Sequence, residues 1–296
     1  MNKKYKIFKN EKYDFFQITP TPSAEEITKF YNDEFYTGDF KKFNDSSLEV
    51  QLDDVDFYNE NWENIYNNIK KYLNINTNTD QSILDVGCGW GLALEFFKKK
   101  GFDCYGFDPA PEAVEYVKKR NINIKLAGIE GMNVFKKNDF NVVTLFNVLE
   151  HLPDPEKTIN QIHNILSDNS ILIIDVPNEF NDFQLAGQKT NNLDEWWVCP
   201  PNHLNYFSYD SMKKLLELNN FDLVYAQSSF PLEMFLLFED NYVGGEGKLG
   251  KACHNKRVNF EKNMRKFGKD EKLNKFYANL AKLNLGRQIT FYAKKR

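Results

Sequence analysis

The 296-residue chain has only four cysteines, Cys88, Cys104, Cys199 and Cys253, and no two of them form a C-x-x-C pair. That scatter excludes a disulfide-stapled secreted module and matches no zinc spacing; it suits free thiols in a reducing cytoplasm. No apolar run approaches the roughly 18–20 residues needed to cross a bilayer. Met1-Asn2-Lys3-Lys4-Tyr5 lacks the apolar core of a secretory signal, so a cytoplasmic protein without a membrane span is expected. An excess of one charge sign is missing too: 38 basic residues face 42 acidic ones, and no basic stripe is interleaved with aromatics. Nucleic acid is therefore not an expected partner. The clusters Lys98-Lys99-Lys100 and Lys118-Lys119-Arg120 close predicted helices, where positive charge is favourable. The abundance of Asn, Lys and Ile is of the kind an AT-rich bacterial genome encodes.

Two nucleotide signatures are also absent. A dinucleotide fingerprint G-x-G-x-x-G would need a small residue where Leu92 stands, and no G-K-[ST] ending makes a P-loop. What is present is Ile83-Leu84-Asp85-Val86-Gly87-Cys88-Gly89-Trp90-Gly91, an apolar strand that reaches an acid and then a turn with glycine at alternate positions. Glycine there lets the chain turn sharply and lets a ligand lie against bare main chain. A helix pattern (Leu92, Leu94, Phe96, Phe97) follows at once. A second strand, Cys104-Tyr105-Gly106-Phe107, ends in Asp108, whose carboxylate can accept both hydrogen bonds of a ribose diol.

From 82 to 228 short strands and helices alternate, which predicts a doubly wound, mostly parallel α/β sheet. Strands are expected near 82–86, 103–107, 124–127, 141–146, 170–176 and 221–228, with helices near 91–100, 111–120, 155–166 and 209–219. The run Ile171-Leu172-Ile173-Ile174 suits a central strand buried on both faces. A last strand is expected over Arg287 to Ala293. Residues 1–80 read as an N-terminal helical lid, opened by the capping box Ser23-Ala24-Glu25-Glu26. Residues 81–229 form the core, 230–285 a helical insertion serving as cap or oligomer surface, and 286–296 the final strand and tail. Within the insertion Gly244-Gly245-Glu246-Gly247 and Gly250 read as a flexible turn.

In residues and order, the Asp85/Gly87/Gly89/Gly91/Asp108 set resembles the class I S-adenosylmethionine-dependent methyltransferase family. The resemblance covers roughly 25–230 and implies a seven-stranded Rossmann-like fold with S-adenosylmethionine as cofactor. It places Asp85, Gly87, Cys88, Gly89, Gly91, Asp108 and Pro109 around the cofactor. Gly128-Ile129-Glu130 would grip the adenine through Ile129 and Glu130, and Tyr36 in the lid would close over it. The turn Asn147-Val148-Leu149-Glu150-His151-Leu152 resembles the one after strand four of small-molecule methyltransferases, where Asn147 and Val148 would adjoin the methionine part and His151 the pocket mouth.

A loop expected to run from 178 to 208 carries Trp196-Trp197-Val198-Cys199-Pro200-Pro201-Asn202-His203-Leu204-Asn205-Tyr206-Phe207, with Ser208 capping the next helix. Its length for a compact domain points to function. The run resembles one that approaches the acceptor in glycan-related methyltransferases. On that resemblance Trp196, Trp197, Asn202 and Tyr206 would line the acceptor, and His203, with His151 as second candidate, would take its proton. Cys199 and His203 with Cys253 and His254 match no zinc pattern, and Asp175 lacks a second carboxylate for Mg²⁺, so no metal is expected. The reading is a methyltransferase for a small polar acceptor: a sugar, sugar nucleotide or related surface-polysaccharide precursor, methylated on oxygen. Its alternatives are a quinone, lipid-precursor or amine methyltransferase and a non-catalytic cofactor-binding subunit; a homodimer is allowed by the insertion.

Overall fold

The computed structural model describes residues 4–30, 47–73, 81–136, 138–244 and 247–296. Tyr36, expected in the lid, lies outside the described residues. Seven strands form one sheet: β3 (Ser82–Val86), β4 (Asp103–Asp108), β5 (Asn123–Leu126), β6 (Phe140–Phe146), β7 (Leu166–Pro177), β9 (Phe221–Ser228) and β10 (Gln288–Lys295). Their order is β5-β4-β3-β6-β7-β10-β9, and β10 alone runs antiparallel to its neighbours.

Strand alternation divides the core. Leu84, Val143, Leu172 and Ile174 pack into one apolar layer, while Ile83, Val142, Ile171 and Ile173 pack into the other. Each central strand is therefore buried on both faces, as its apolar run requires. From β3 the chain moves outward through β4 to β5, then returns to the far side of β3 as β6 and β7. The carboxyl ends of β3 and β6 flank this reversal, where open α/β sheets place their ligands.

The helices that cover these faces include α3 (Val55–Leu73), α4 (Leu92–Lys99), α5 (Pro111–Lys118), α6 (Pro155–Ile165) and α8 (Tyr209–Leu218). Ser208 caps α8 through the Ser211 N–H, as its sequence position suggests. Before them come α1 (Ala24–Phe30) and α2 (Leu48–Asp53). Ser23 and Glu26 make the reciprocal capping box expected at α1. Among the described residues no helix is long and apolar enough to cross a membrane.

Three segments depart from the sequence expectation. The chain does not begin with helix: β1 (Lys6–Lys9) and β2 (Phe16–Thr19) form a hairpin, which pairs with β8 (Asn205–Tyr206). The stretch expected to be an aperiodic loop contains α7 (Asp182–Asn191), N-capped by the Asn181 side chain. The insertion is helical as expected, with α9 (Glu233–Leu237), α10 (Lys248–Lys266) and α11 (Asp270–Lys282), and departs only in detail. Gly250 lies inside α10 rather than in a turn. Tyr277 and Leu273 of α11 are buried, Ser228 of β9 donates to the Tyr277 carbonyl, and Ala281 joins the main core. This last helix of the insertion is thus part of the layer covering the sheet, beyond the cap or oligomer surface expected.

Candidate active site

The glycine turn after β3 is held from within. The N–H groups of Gly87 and Cys88 both donate to the Phe107 carbonyl at 3.0 and 3.2 Å. Gly87 and Gly91 have φ of +68° and +66°, and a Cβ at either would come within 2.7 Å of Val148 or 2.6 Å of Val117. These two glycines exist for packing. Gly89 differs: at φ +48° its Cβ position meets nothing within 4 Å among the described residues, which leave its main chain bare. The Cys88 side chain turns into the core against Gly106 and Leu94, leaving only its backbone in the turn.

Asp108 ends β4 and accepts from the Gly89 N–H with one carboxylate oxygen and the Ala110 N–H with the other, each at 2.8 Å. Burial raises its pKa, and these two N–H groups work against that rise. A carboxylate has about four acceptor positions, so two remain for a diol. Asp85 sits one strand away, opposite Thr144, whose hydroxyl donates to it at 2.7 Å. Desolvation pushes Asp85 up to about 7 despite that bond, with the nearby Asp108 charge adding to the rise. Pro109 is exposed beside Asp108. Past β5, Ile129 packs against the core, while the Glu130 carboxylate folds back onto the Gly128 N–H at 2.8 Å.

Across the reversal, Asn147 adopts φ +56° and its side-chain oxygen accepts from Gln288 Nε2 at 2.5 Å. Val148 packs over Gly87. The next residues make a short turn, and the Leu204 N–H donates to the Glu150 carbonyl at 2.8 Å while Asn205 Nδ2 donates to the Leu152 carbonyl at 2.8 Å. Two turns fifty residues apart are thereby clamped together, which sets the His151 and His203 rings 5.1 Å apart, edge to face.

Each ring is oriented by an acceptor. His151 Nδ1 lies 2.7 Å from the Asn202 carbonyl and His203 Nδ1 lies 3.1 Å from Glu179 Oε1. Both acceptors lack a proton to give, so both Nδ1 atoms carry hydrogen. Burial and the neighbouring His203 charge drive His151 down to about 3, overriding the Asn202 and Asn147 backbone carbonyls. For His203, burial also disfavours the cation, but Glu179 and a contact with Cys199 outweigh it and hold the pKa well above the ordinary value. Burial pushes Glu150 up to about 8, against the pull of His203. At neutral pH the cluster therefore holds a neutral acid, a neutral imidazole and one His203–Glu179 ion pair.

Glu150, His151 and His203 also gather donor atoms within 4.8 Å of one another, a set that can hold a metal ion. Binding a cation there requires an ionised Glu150 and a neutral His203. Burial and Glu179 favour the opposite protonation of both.

The expected acceptor wall divides. Trp197 and Tyr206 are 2% and 1% exposed, packed with Tyr5, Ile18 and Leu204 under the N-terminal hairpin. Tyr206 donates its hydroxyl to the His203 carbonyl at 3.1 Å, so it supports the histidine loop from behind. Trp196 stays half-buried against Trp197, and Asn202 is buried with its carbonyl on His151. Glu179, Gln288 and Thr144 had no assigned place in the sequence reading. An acid two residues past a central strand, as Glu179 stands, was the available signal.

A family model described as a methyltransferase domain matches residues 58–226, more than half of the chain. Ubiquinone biosynthesis O-methyltransferases of Glaesserella parasuis and Nitrosospira multiformis are each 29% identical, over 119 and 85 residues. These matches span 36% and 27% of this chain and 50% and 36% of the relatives, so the chain spans about half the length, or less, of the curated relatives it matches. Among solved structures, a plantazolicin methyltransferase in complex with SAH superposes with a TM-score of 0.54 at 14% identity, covering 90% of this chain and 93% of that one. A SAM-dependent methyltransferase from Archaeoglobus fulgidus gives 0.50 at 19% identity, with 79% and 94% covered. Both likenesses are of fold. With the family model across β3 to β9, they show that the chain belongs to the class I S-adenosylmethionine-dependent methyltransferase family.

Proposed function

We propose that this protein transfers a methyl group from S-adenosylmethionine to a hydroxyl oxygen of a small polar acceptor. The observation that carries this reading is the His203–Glu179 pair, 3.1 Å apart, on the loop beyond the carboxyl end of the central strands. S-adenosylmethionine supplies an electrophilic methyl group on a sulfonium. The residues present fit it: among the described residues nothing occupies the space where a side chain at Gly89 would project, and Asp108 keeps two acceptor positions for a ribose diol. Ile129 and Glu130 are assigned to the adenine end, and Asn147, fixed by Gln288, to the methionine end.

His203 is the base in this reading. Glu179 fixes Nδ1–H, so Nε2 is the nitrogen that takes the hydroxyl proton once His203 is neutral. Because His203 rests protonated, kcat/KM is expected to rise with pH through its elevated pKa. Alignment of acceptor oxygen with the methyl carbon supplies the larger share of the rate.

A sugar or nucleotide-linked polysaccharide precursor remains the preferred acceptor, supported by the polar groups gathered around His203, namely Glu179, Asn202 and His151. A quinone precursor is the second reading, favoured by the names of the curated relatives. The burial of Trp197 beneath the hairpin removes one wall of the apolar channel it needs. Turnover of methyl-labelled S-adenosylmethionine against sugar nucleotides, free sugars and catechol-type quinone precursors tests the choice. Label on a catechol oxygen alone would overturn the sugar reading.

A further inference from the structure

The start of β10 presents an arginine that the methyl-transfer reading leaves unused. Arg287 follows Gly286, whose φ of +104° and approach to Ser228, 2.6 Å from a Cβ placed there, admit no side chain. Buried Asn178 clamps this turn: its side-chain amide donates to the carbonyls of Asn284 and Gly286 at 3.1 Å, and its N–H donates to the Arg287 carbonyl at 3.0 Å. The backbone carrying Arg287 is thus fixed against the segment carrying Glu179.

One side of the guanidinium is fixed as well. Arg287 Nη1 donates to Glu233 Oε1 at 3.0 Å, and Glu233 is wholly buried while the arginine side chain keeps 33% of its surface accessible. Glu233 opens α9, which is locked onto α7 by Asn191 Nδ2 donating to the Leu236 carbonyl and by Leu236 packing where Gly187 has no Cβ. A guanidinium has five N–H donors in a rigid fork, and the Glu233 bond uses one. Beside it the Tyr242 hydroxyl, in the field of both Glu233 and Arg287, is buried and has no hydrogen-bond partner among the described residues.

We propose that Arg287, anchored by Glu233 and assisted by Tyr242, is a subsite for an oxyanion, a carboxylate or phosphate, on the acceptor molecule. The proposal rests on the methyltransferase reading and names the acceptor's chemistry. The accessible guanidinium edge donates hydrogen bonds, and the buried Tyr242 hydroxyl can donate beside it, so they call for a ligand that accepts them; Glu233 Oε2, also without a partner among the described residues, is wholly buried and out of a ligand's reach. Glu233 offsets the arginine's charge at rest, while the fork's open edge matches the two oxygens of a carboxylate or phosphate. The acid nearest on the other side, Glu179, is already paired with His203. β10 stands three strands from β3 and its glycine turn, about 14 Å at the usual strand spacing, while the neighbouring Gln288 reaches Asn147 at the expected methionine end, so the subsite lies on the acceptor side of the site.

Calorimetry with inorganic pyrophosphate and with glucuronate tests it, with S-adenosylmethionine titrated in parallel. At least one anion is expected to bind the wild type. Its affinity should fall tenfold or more in Arg287→Gln and several-fold in Tyr242→Phe, with cofactor affinity held within twofold. Arg287→Lys keeps a cation against Glu233 but loses the fork, so it should fold and show an intermediate loss; it serves if Arg287→Gln does not fold. Binding of neither anion, or equal binding by all variants, would overturn the subsite. A tenfold loss of cofactor affinity in Arg287→Gln would overturn it too, by assigning the arginine to the cofactor. Anion binding without any cofactor binding to the wild type would instead remove the methyltransferase reading and the acceptor role with it. Which anion binds tells a sugar acid from a phosphorylated or nucleotide-linked acceptor.

Discussion

Replacing Glu179 by Gln removes one charge and keeps the shape of the side chain that orients His203. The amide oxygen can still accept the Nδ1–H, so the ring should stay in place while the electrostatic support vanishes. An opposite charge at 3.1 Å in a buried setting raises a histidine pKa by about 1–3 units, or about 1.4–4 kcal/mol between the protonation states. Both side chains are largely buried, at 16% and 2% exposure, so solvent screens little of this. The raised pKa in the folded protein means that the pair's stabilisation is fully present below the unfolded histidine value and is lost as pH rises through the folded value. Glu179→Gln should therefore be less stable than the wild type near pH 6, with the gap narrowing at alkaline pH. The direct assay is NMR titration of the imidazole carbons, with His203→Asn identifying the resonance. The His203 midpoint is expected to drop by at least one unit in Glu179→Gln. An unchanged midpoint would refute the coupling, and with it the role of Glu179 as positioning residue for the base.

Other consequences are as specific. Asp85, with a folded pKa of about 7 against 3.8 unfolded, makes stability decline as pH rises from about 4 to 7, by up to about 4 kcal/mol. Asp85→Asn should flatten that decline in urea titrations at pH 5 and 8. Gly87→Ala forces a Cβ to 2.7 Å from Val148 at φ +68° and should cost about 1–3 kcal/mol by thermal unfolding. Gly89→Ala meets no neighbour among the described residues and should cost only the left-handed backbone penalty, about 1–2 kcal/mol. Tyr277→Ala in α11 removes a buried ring packed with Leu273, Leu280 and Phe230 and leaves buried Glu261 without its 2.8 Å donor, for a loss of about 3–5 kcal/mol by urea denaturation.

The parallel sheet was legible because each of its strands carries its own signal. Ile171-Leu172-Ile173-Ile174 is apolar throughout since both faces are covered, and β3, β6 and β9 begin within a residue of their expected positions. Local chemistry also marked the caps at Ser23 and Ser208. The N-terminal hairpin was not legible: β1 and β2 have four residues each, and β2 completes its pairing with Asn205 and Tyr206, far away in the chain. Helix α7 stayed hidden because it buries only Gln184 and Gly187, which makes no apolar stripe. At the site, sequence gave residue types but not neighbours. His151 and His203 were both singled out, yet their 5.1 Å approach depends on backbone hydrogen bonds between two turns. The Trp196-Trp197 pair shows the converse, since an aromatic pair on a functional loop can serve the core beneath it.

Cofactor binding depends on the bare Gly89 main chain and the Asp108 carboxylate bonded to it. Calorimetric titration with S-adenosylhomocysteine, free of any question about the acceptor, reads it directly. One site per chain is expected, with affinity falling by about 1–3 kcal/mol in Asp108→Ala and severely in Gly89→Val, while circular dichroism shows both variants folded. Absence of binding to the wild type, or the same affinity in both folded variants, would contradict the central claim.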